Sequence, residues 1–192
     1  FRAQAELRLG ARALEDPTVG VDAAERGDLV HAALATLWQE LGDSTRLQTL
    51  DDAALRDVAH RAVAAALAEA RRAADDVLRH LLDLEAAWLE ARVLDMVAAD
   101  RARPPFAVVA LEQPRTARIG ALTLEMRPDR VDRLADGSLA VIDYKTGANA
   151  EVRAWRDERP RLPQLPAYVQ ALGAERVGAV AFARVRSGDT GY

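Results

Sequence analysis

The spacing of apolar residues divides the chain into a helical first half and a strand-rich second half. Between residues 23 and 42, apolar side chains recur at the three- and four-residue spacing of one helix face. This stripe consists of Val30, Ala33, Leu34, Leu37, Trp38 and Leu41. Gly42 is a suitable C-terminal stop for the helix. Two more helices are predicted over residues 51–72 and 75–101, the second of them ended by the proline pair that follows.

Beyond residue 105 the pattern changes to short apolar runs that are typical of strands. The predicted strands are residues 106–112, 119–126, 129–134, 138–144 and 177–186. Asp136-Gly137 is a hairpin signal between the third and fourth of them, and a further helix is predicted near residues 163–172. This order indicates an α/β fold with a central mixed, largely antiparallel sheet, flanking helices and a helical N-terminal half.

Length and composition fit one domain of 192 residues, with a helical part (1–105) and a sheet core (106–192). Because the chain begins at Phe1 and not at a methionine, we expect it to be a fragment of a larger protein. It contains no apolar run of about 18 residues that could span a bilayer, and no signal peptide. The absence of cysteine excludes disulfides, zinc–cysteine sites and iron–sulfur clusters within the chain, and it is compatible with a reducing cytoplasm.

The net charge of −4 gives little support to nucleic-acid binding, but this charge is unevenly distributed. Residues 1–100 contain 11 Arg and 19 acids, and residues 101–192 contain 15 basic residues and 11 acids, so the two parts carry −8 and +4. The second part could therefore face a polyanion. Of the 26 basic residues, 25 are Arg and one is Lys145. This bias indicates that position 145 needs a compact ammonium whose pKa can shift, and not a guanidinium.

Three residues of the predicted hairpin form a candidate catalytic group. The side-chain period of a strand places Asp143 and Lys145 on one face, and the hairpin returns Asp129 close to both. Two carboxylates and one ammonium suit metal-assisted phosphodiester hydrolysis, in which the carboxylates bind Mg²⁺ and the lysine acts on the attacking water. The alternatives are a surface ion pair on the hairpin, and a site built with Asp132, whose strand phase is opposite to that of Asp129.

These residues belong to a longer motif. Asp129, the hairpin and the segment Asp143-Tyr144-Lys145-Thr146-Gly147 resemble the PD-(D/E)XK nuclease superfamily, and more narrowly the RecB-type nuclease domain of bacterial helicase–nucleases. Gly27-Asp28-Leu29-Val30-His31 is similar to that family's Gly-x-x-x-His helix motif, and Gln164-Leu165-Pro166-Ala167-Tyr168 to its Gln-x-x-x-Tyr motif. Glu112 occupies the place of the family's acidic residue ahead of the hairpin. The resemblance covers about residues 26–170, in the family's order.

The resemblance implies a restriction-endonuclease-like core, a metal and a set of site residues. The implied metal ligands are His31, Asp129, Asp143 and the backbone carbonyl of Tyr144. The implied catalytic set is Asp129, Asp143, Lys145, Glu112, Gln164 and Tyr168. The residue types alone leave other roles open: packing or surface exposure for His31, a surface acid for Glu112, and helix capping and packing for the Gln-x-x-x-Tyr pair.

By the same resemblance, the expected cofactor is Mg²⁺, with Mn²⁺ as an alternative. The expected substrate is DNA, single-stranded or unwound by a helicase-like neighbouring domain or subunit, and the expected activity is exonucleolytic hydrolysis in repair and recombination. The competing interpretation is a catalytically weak nuclease-like module that binds DNA or a partner. The candidate phosphate contacts are Arg115, Arg118, Arg127, Arg130, Arg153, Arg156 and Arg161. The sequence departs from the family at Pro128, close to where relatives often have glycine, and it lacks the cysteines of the iron–sulfur relatives.

Overall fold

The computed structural model describes residues 21–119, 122–147, 168–169 and 176–192. Within these residues five helices come first along the chain, in agreement with the predicted helical half. They are α1 (Ala23–Leu41), α2 (Ser44–Thr49), α3 (Asp52–Ala66), α4 (Ala68–Ala73) and α5 (Asp76–Arg101). No helix in this described part is both long enough and apolar enough to cross a bilayer. The helix predicted near 163–172 falls outside the described residues, except for the helical pair Tyr168 and Val169.

Helix α1 begins and ends where its sequence predicts. Asp22 caps its N-terminus by accepting hydrogen bonds from the amides of Ala24 and Glu25, and the Glu25 side chain accepts one from the Asp22 amide. Gly42 ends the helix with a φ of 76°, a conformation that favours glycine. All the apolar residues of the predicted stripe are buried. The buried stripe fixes the rotation of the helix about its axis, and with it the position of His31.

The other helices follow the prediction with two differences. The predicted helix over residues 51–72 is interrupted at Leu67, which separates α3 from α4. The Leu67 side chain is fully buried, so packing and not local propensity decides the geometry there. The pattern does not predict the short helix α2, whose N-terminus is capped by Asp43 through the Arg46 amide. Helix α5 has the predicted bounds within one residue, and Asp75 caps it.

Seven strands follow the helices within the described residues. They are β1 (Phe106–Leu111), β2 (Arg115–Ile119), β3 (Leu122–Met126), β4 (Arg130–Leu134), β5 (Leu139–Lys145), β6 (Val177–Arg186) and β7 (Asp189–Gly191). Five of them form a sheet in the order β1-β4-β5-β6-β7, while β2 and β3 form a separate ribbon. Strands β5 and β6 pair in parallel, and the other neighbours in the sheet pair antiparallel. This mixed sheet with flanking helices confirms the predicted fold class.

Strands β4 and β5 form the predicted hairpin. The amide of Leu134 donates a 2.8 Å hydrogen bond to the carbonyl of Ser138, and Gly137 adopts a φ of 81° in the turn. The register pairs Arg130, the first residue of β4, with Ile142. Strand β5 therefore continues to Lys145, beyond the point at which β4 begins.

The two faces of the sheet have different surroundings. Ile142 and Tyr144 of β5 belong to the main core, which the helices share. Val141 belongs to a smaller core on the opposite face. Asp143 and Lys145 share one face of β5, as predicted. They have the strand phase of Val141, so this face points away from the main helical core.

Candidate metal centre

The candidate site lies where β5 extends beyond β4, and the peptide groups of Tyr144 are at its centre. The Tyr144 amide donates a 2.6 Å hydrogen bond to Oδ2 of Asp129. The Tyr144 carbonyl oxygen lies 3.1 Å from Nε2 of His31. These two side chains supply partners for backbone groups that β4 does not reach. The hairpin thus returns Asp129 to the Asp-x-Lys segment, as predicted.

His31 reaches this point from α1. Its Nδ1 atom lies 3.2 Å from Oδ1 of Asp129 and 4.0 Å from Oε1 of Glu112. Gly27 lies one turn earlier on the same side of the helix. A Cβ atom at Gly27 would lie 3.2 Å from Oγ1 of Thr146, a tight contact. The glycine of the Gly-x-x-x-His motif therefore lets α1 approach the end of β5 closely.

Glu112 enters the site through an unusual backbone conformation. It follows β1 directly and has a φ of 50°, in the left-handed region that non-glycine residues seldom adopt. Its amide donates a 3.1 Å hydrogen bond to the carbonyl of Asp129, and its Oε2 atom lies 2.9 Å from Nε of Arg127. Backbone strain of this kind is found preferentially at functional sites. Here it accompanies a carboxylate that lies beside His31.

Imidazole and carboxylate groups converge at this end of the sheet. His31, Glu112 and Asp129 can each offer one ligand atom such that these atoms lie within 4.8 Å of one another. We call these three residues, together with Asp143, the acidic cluster. Carboxylate oxygens are the ligands that Mg²⁺ prefers, and an imidazole nitrogen suits Mn²⁺ as well. The donor set therefore fits a divalent cation.

Asp143 and Lys145 form the adjoining part of the site. The Nζ atom of Lys145 lies 2.7 Å from Oδ2 of Asp143 and 5.5 Å from the centre of the Phe182 ring. This Oδ2 atom is buried, and the Lys145 ammonium is its ion-pair partner. A buried carboxylate is costly unless a cation lies against it, and Lys145 supplies that cation. The pair therefore holds the lysine at the edge of the acidic cluster.

Burial and neighbouring charges shift the pKa values of Asp143, Glu112 and His31. Burial raises the pKa of Asp143 and the charge of Asp129 raises it further, while Lys145 opposes the shift. Burial and the charge of Asp129 also raise the pKa of Glu112. Burial lowers the pKa of His31, but its hydrogen bond and charge interaction with Asp129 outweigh burial, so the net change is a rise. A bound cation would relieve the repulsion between the carboxylates.

Comparison with known proteins gives the family. Residues 1–190 match the PD-(D/E)XK nuclease superfamily. The chain belongs to this superfamily. No curated protein matches it. Membership of the superfamily implies a nuclease that acts on DNA with a divalent metal ion, and the acidic cluster is a place in the described structure where such an ion fits.

The second helix motif of this nuclease domain is described only in part. Tyr168 is buried in the smaller core, and its hydroxyl donates a 3.2 Å hydrogen bond to the carbonyl of Arg127. Burial, followed by the charges of Asp143 and Asp129, raises its pKa to about 12. Tyr168 is therefore close to the carboxylates and protonated at neutral pH. Gln164 lies outside the described residues.

One predicted phosphate contact of the nuclease domain is wrong, because Arg130 is fully buried. Its Nε and Nη2 atoms donate hydrogen bonds of 2.7 and 2.9 Å to the two carboxylate oxygens of Asp132, and its Nη1 atom donates one of 3.0 Å to Asp100. Arg103 contacts the same two aspartates at 2.8 Å. We call Asp100, Arg103, Arg130 and Asp132 the buried ion cluster. Asp132 thus has an arginine partner and a structural position, as its strand phase predicts.

The remaining predicted phosphate contacts differ in their position and in whether the structure describes their side chains. Arg127 is 63% exposed at the rim of the acidic cluster, where phosphate could reach it. Arg115 lies on β2. The structure does not describe the side chains of Arg118, Arg153, Arg156 and Arg161. The sequence does not single out Arg184, which the parallel register places beside Lys145. Only the pairing of β5 with β6 reveals this neighbour.

Proposed function

We propose that the domain hydrolyses phosphodiester bonds in DNA, with the acidic cluster as its divalent-metal centre. The observation that carries this proposal is the convergence of imidazole and carboxylates beside the Asp143–Lys145 pair. When bound, a divalent ion polarises the phosphate and lowers the pKa of water. We assign as ligands His31, Asp129, Asp143 and the carbonyl of Tyr144, with Glu112 as an additional acidic residue.

Neighbouring groups set the orientation of Asp129 and the protonation of His31. The Tyr144 amide holds Oδ2 of Asp129, which leaves Oδ1, the oxygen facing His31, for ligation. Such a hydrogen bond orients a ligating carboxylate. As a ligand His31 would be a neutral imidazole, and because its pKa is raised in the metal-free domain, metal binding would compete with protonation.

Lys145 acts on the attacking water. Its ammonium group is held against Asp143, and its side chain is 22% exposed, so it remains beside the metal centre and within reach of substrate. There it can position the water, accept a proton from it, or neutralise negative charge that develops on the phosphate. An arginine could supply the positive charge, but it could not accept a proton near neutral pH, and its larger guanidinium would displace the water.

We further propose a RecB-type nuclease that uses Mg²⁺, with Mn²⁺ as a substitute. Its substrate is a single or unwound DNA strand, delivered by a helicase-like domain or subunit and shortened from an end during repair or recombination. The order of the motifs from Gly27 to Tyr168 supports this. Residues 1–192 act as one domain, since the helical part contributes His31 and the sheet core contributes the remaining ligands.

A module that only binds DNA or a partner is the competing function. Such a module does not need Asp129, Asp143 and Lys145 together. In such a module the raised pKa values of Glu112 and Asp143 would serve no function, although shifted values of this kind cluster at functional sites. The complete set therefore favours the nuclease.

Metal binding and DNA cleavage by matched variants test the proposal. In Asp143→Ala we expect Mn²⁺ affinity, measured by calorimetry, to fall by at least about ten-fold, with loss of cleavage. Asp57→Ala removes an exposed carboxylate on α3 and should bind and cut like the parent. Equal Mn²⁺ binding by all three proteins would exclude the acidic cluster as a metal centre. Metal binding by a parent that cuts neither single-stranded nor unwound DNA would support the binding module.

A further inference from the structure

Two tyrosine hydroxyls contact the buried ion cluster. The hydroxyl of Tyr192 donates a 2.6 Å hydrogen bond to Oδ1 of Asp100 and accepts one of 3.0 Å from Arg103. The hydroxyl of Tyr144 accepts one of 3.3 Å from Nη1 of Arg130. Of these two tyrosines, Tyr144 is the one whose backbone also lies in the candidate metal centre.

Tyr144 connects the buried ion cluster to the acidic cluster. Its side chain packs in the main core, while its amide and carbonyl lie 2.6 Å from Asp129 and 3.1 Å from His31. Its ring also packs edge-on against the imidazole of His31, with 5.9 Å between the ring centres. The orientation of Tyr144 therefore affects the positions of two proposed metal ligands, His31 and Asp129, and of its own carbonyl group.

Arg130, the partner of the Tyr144 hydroxyl, is held on several sides. Asp132 binds it through two hydrogen bonds and Asp100 through others. Its guanidinium lies 4.0 Å from the centre of the Trp38 ring system and 4.8 Å from that of Phe106. A fully satisfied buried network of this kind is rigid. Arg130 thus provides a fixed point for the Tyr144 side chain.

We infer that Arg130 and the hydroxyl of Tyr144 are positioning residues for the metal centre. This inference rests on the proposed function. Arg130 holds the side chain of Tyr144, and the held residue presents its amide to Asp129 and its carbonyl to the site. Arg130 is also the first residue of β4, the strand that pairs with β5, and it directly follows Asp129 in the sequence. Outer residues that orient ligands change metal affinity although they do not touch the ion.

Tyr144→Phe removes the hydroxyl and keeps the ring, and Tyr192→Phe is its matched control. Both variants lose a hydroxyl that contacts the buried ion cluster, so both should unfold at a lower temperature than the parent. In Tyr144→Phe we expect the Kd for Mn²⁺, measured by calorimetry, to rise about ten-fold. Its cleavage should need correspondingly more Mn²⁺ for half-maximal rate, with a rate near the parent's at saturating Mn²⁺. Tyr192→Phe should keep the parent's Mn²⁺ affinity.

The outcomes separate this inference from the proposed function. A selective rise in Kd for Tyr144→Phe supports the positioning role. Unchanged affinity in Tyr144→Phe, with a parent that binds Mn²⁺ and an Asp143→Ala variant that does not, overturns the inference and leaves the nuclease proposal intact. An equal rise in Kd for both tyrosine variants also overturns it, because general loosening of the buried ion cluster would then explain the effect. A parent that does not bind Mn²⁺ overturns both.

Discussion

The molecule holds two clusters of charged residues that lie on either side of Tyr144, and they differ in charge balance. The buried ion cluster combines two arginines with two aspartates, and Arg130, Asp100 and Asp132 have no exposed surface. The acidic cluster combines three carboxylates with one imidazole and the adjacent Lys145, and its side chains are 5% to 30% exposed. Every carboxylate of the first cluster has a buried or half-buried arginine, whereas the three carboxylates of the second share one imidazole and Lys145, and Arg127 contacts Glu112 from the exposed rim.

Charge balance separates a cluster that stabilises the fold from one that suits a functional site. A balanced, dry network can satisfy its groups internally, so its removal is felt in stability. In an unbalanced, partly open cluster, burial and then like charge raise the pKa of the acids, as they do for Asp143 and Glu112, and an external cation stabilises their charged form. Position along the chain does not distinguish the two, because Asp129 and Arg130 are adjacent residues in different clusters. Strand phase does distinguish them.

The comparison is tested most strongly by Lys145→Arg, which keeps the charge of the acidic cluster and changes its chemistry. We expect this variant to fold and to bind Mn²⁺, but to cleave DNA at least about a hundred-fold more slowly, since loss of a proton-transferring group costs that much. Single-turnover cleavage with saturating Mn²⁺ measures the effect. Arg71→Lys, a conservative exchange in an ion pair between α4 and α5, should cleave like the parent. Parental cleavage by Lys145→Arg would make Lys145 an ordinary member of an ion pair.

Periodicity predicted most of the fold and one part of the candidate site. The buried stripe of α1, the hairpin and the shared face of Asp143 and Lys145 all follow from local spacing. The alignment of His31 with Asp129 depends on the packing of α1 against the end of β5, so the residues alone did not give it and only the family resemblance pointed to it. The same limit applies to Arg130. Its local sequence is that of a surface arginine, and its burial depends on Asp100 and Trp38, which are distant in the chain.

The next largest effect should come from Arg130→Met, which leaves two buried carboxylates without their main partner. We expect the free energy of unfolding to fall by about 3–5 kcal/mol, the usual consequence of breaking a buried ion pair from one side. Urea denaturation measures it. Arg127→Met removes an exposed arginine at the rim of the acidic cluster and should cost less than about 1 kcal/mol. Similar losses in the two variants would show that the clusters do not differ in their contribution to stability.

The smallest effect concerns the contact between Gly27 and Thr146, which brings α1 to the acidic cluster. In Gly27→Ala we expect the helix to gain up to about 1 kcal/mol in intrinsic stability. The new Cβ would lie 3.2 Å from Oγ1 of Thr146, so either this side chain or the helix must shift by a few tenths of an ångström, and a shift of the helix moves His31. We therefore expect Mn²⁺ affinity to fall roughly three-fold, less than the ten-fold or more that loss of a ligand-orienting residue costs.

Thr146→Ala provides the control for this last prediction, because it removes the atom that the new Cβ would meet. If the close approach is what places His31, the double variant should recover most of the affinity that Gly27→Ala loses. The effects of the two substitutions on Mn²⁺ affinity, measured by calorimetry in a double-mutant cycle, should then not be additive. An additive cycle would mean that Gly27 affects the metal centre by another route. A cycle in which unfolding stability changes but Mn²⁺ affinity does not would show that the glycine serves helix packing alone. The Gly-x-x-x-His spacing would then have no part in building the acidic cluster.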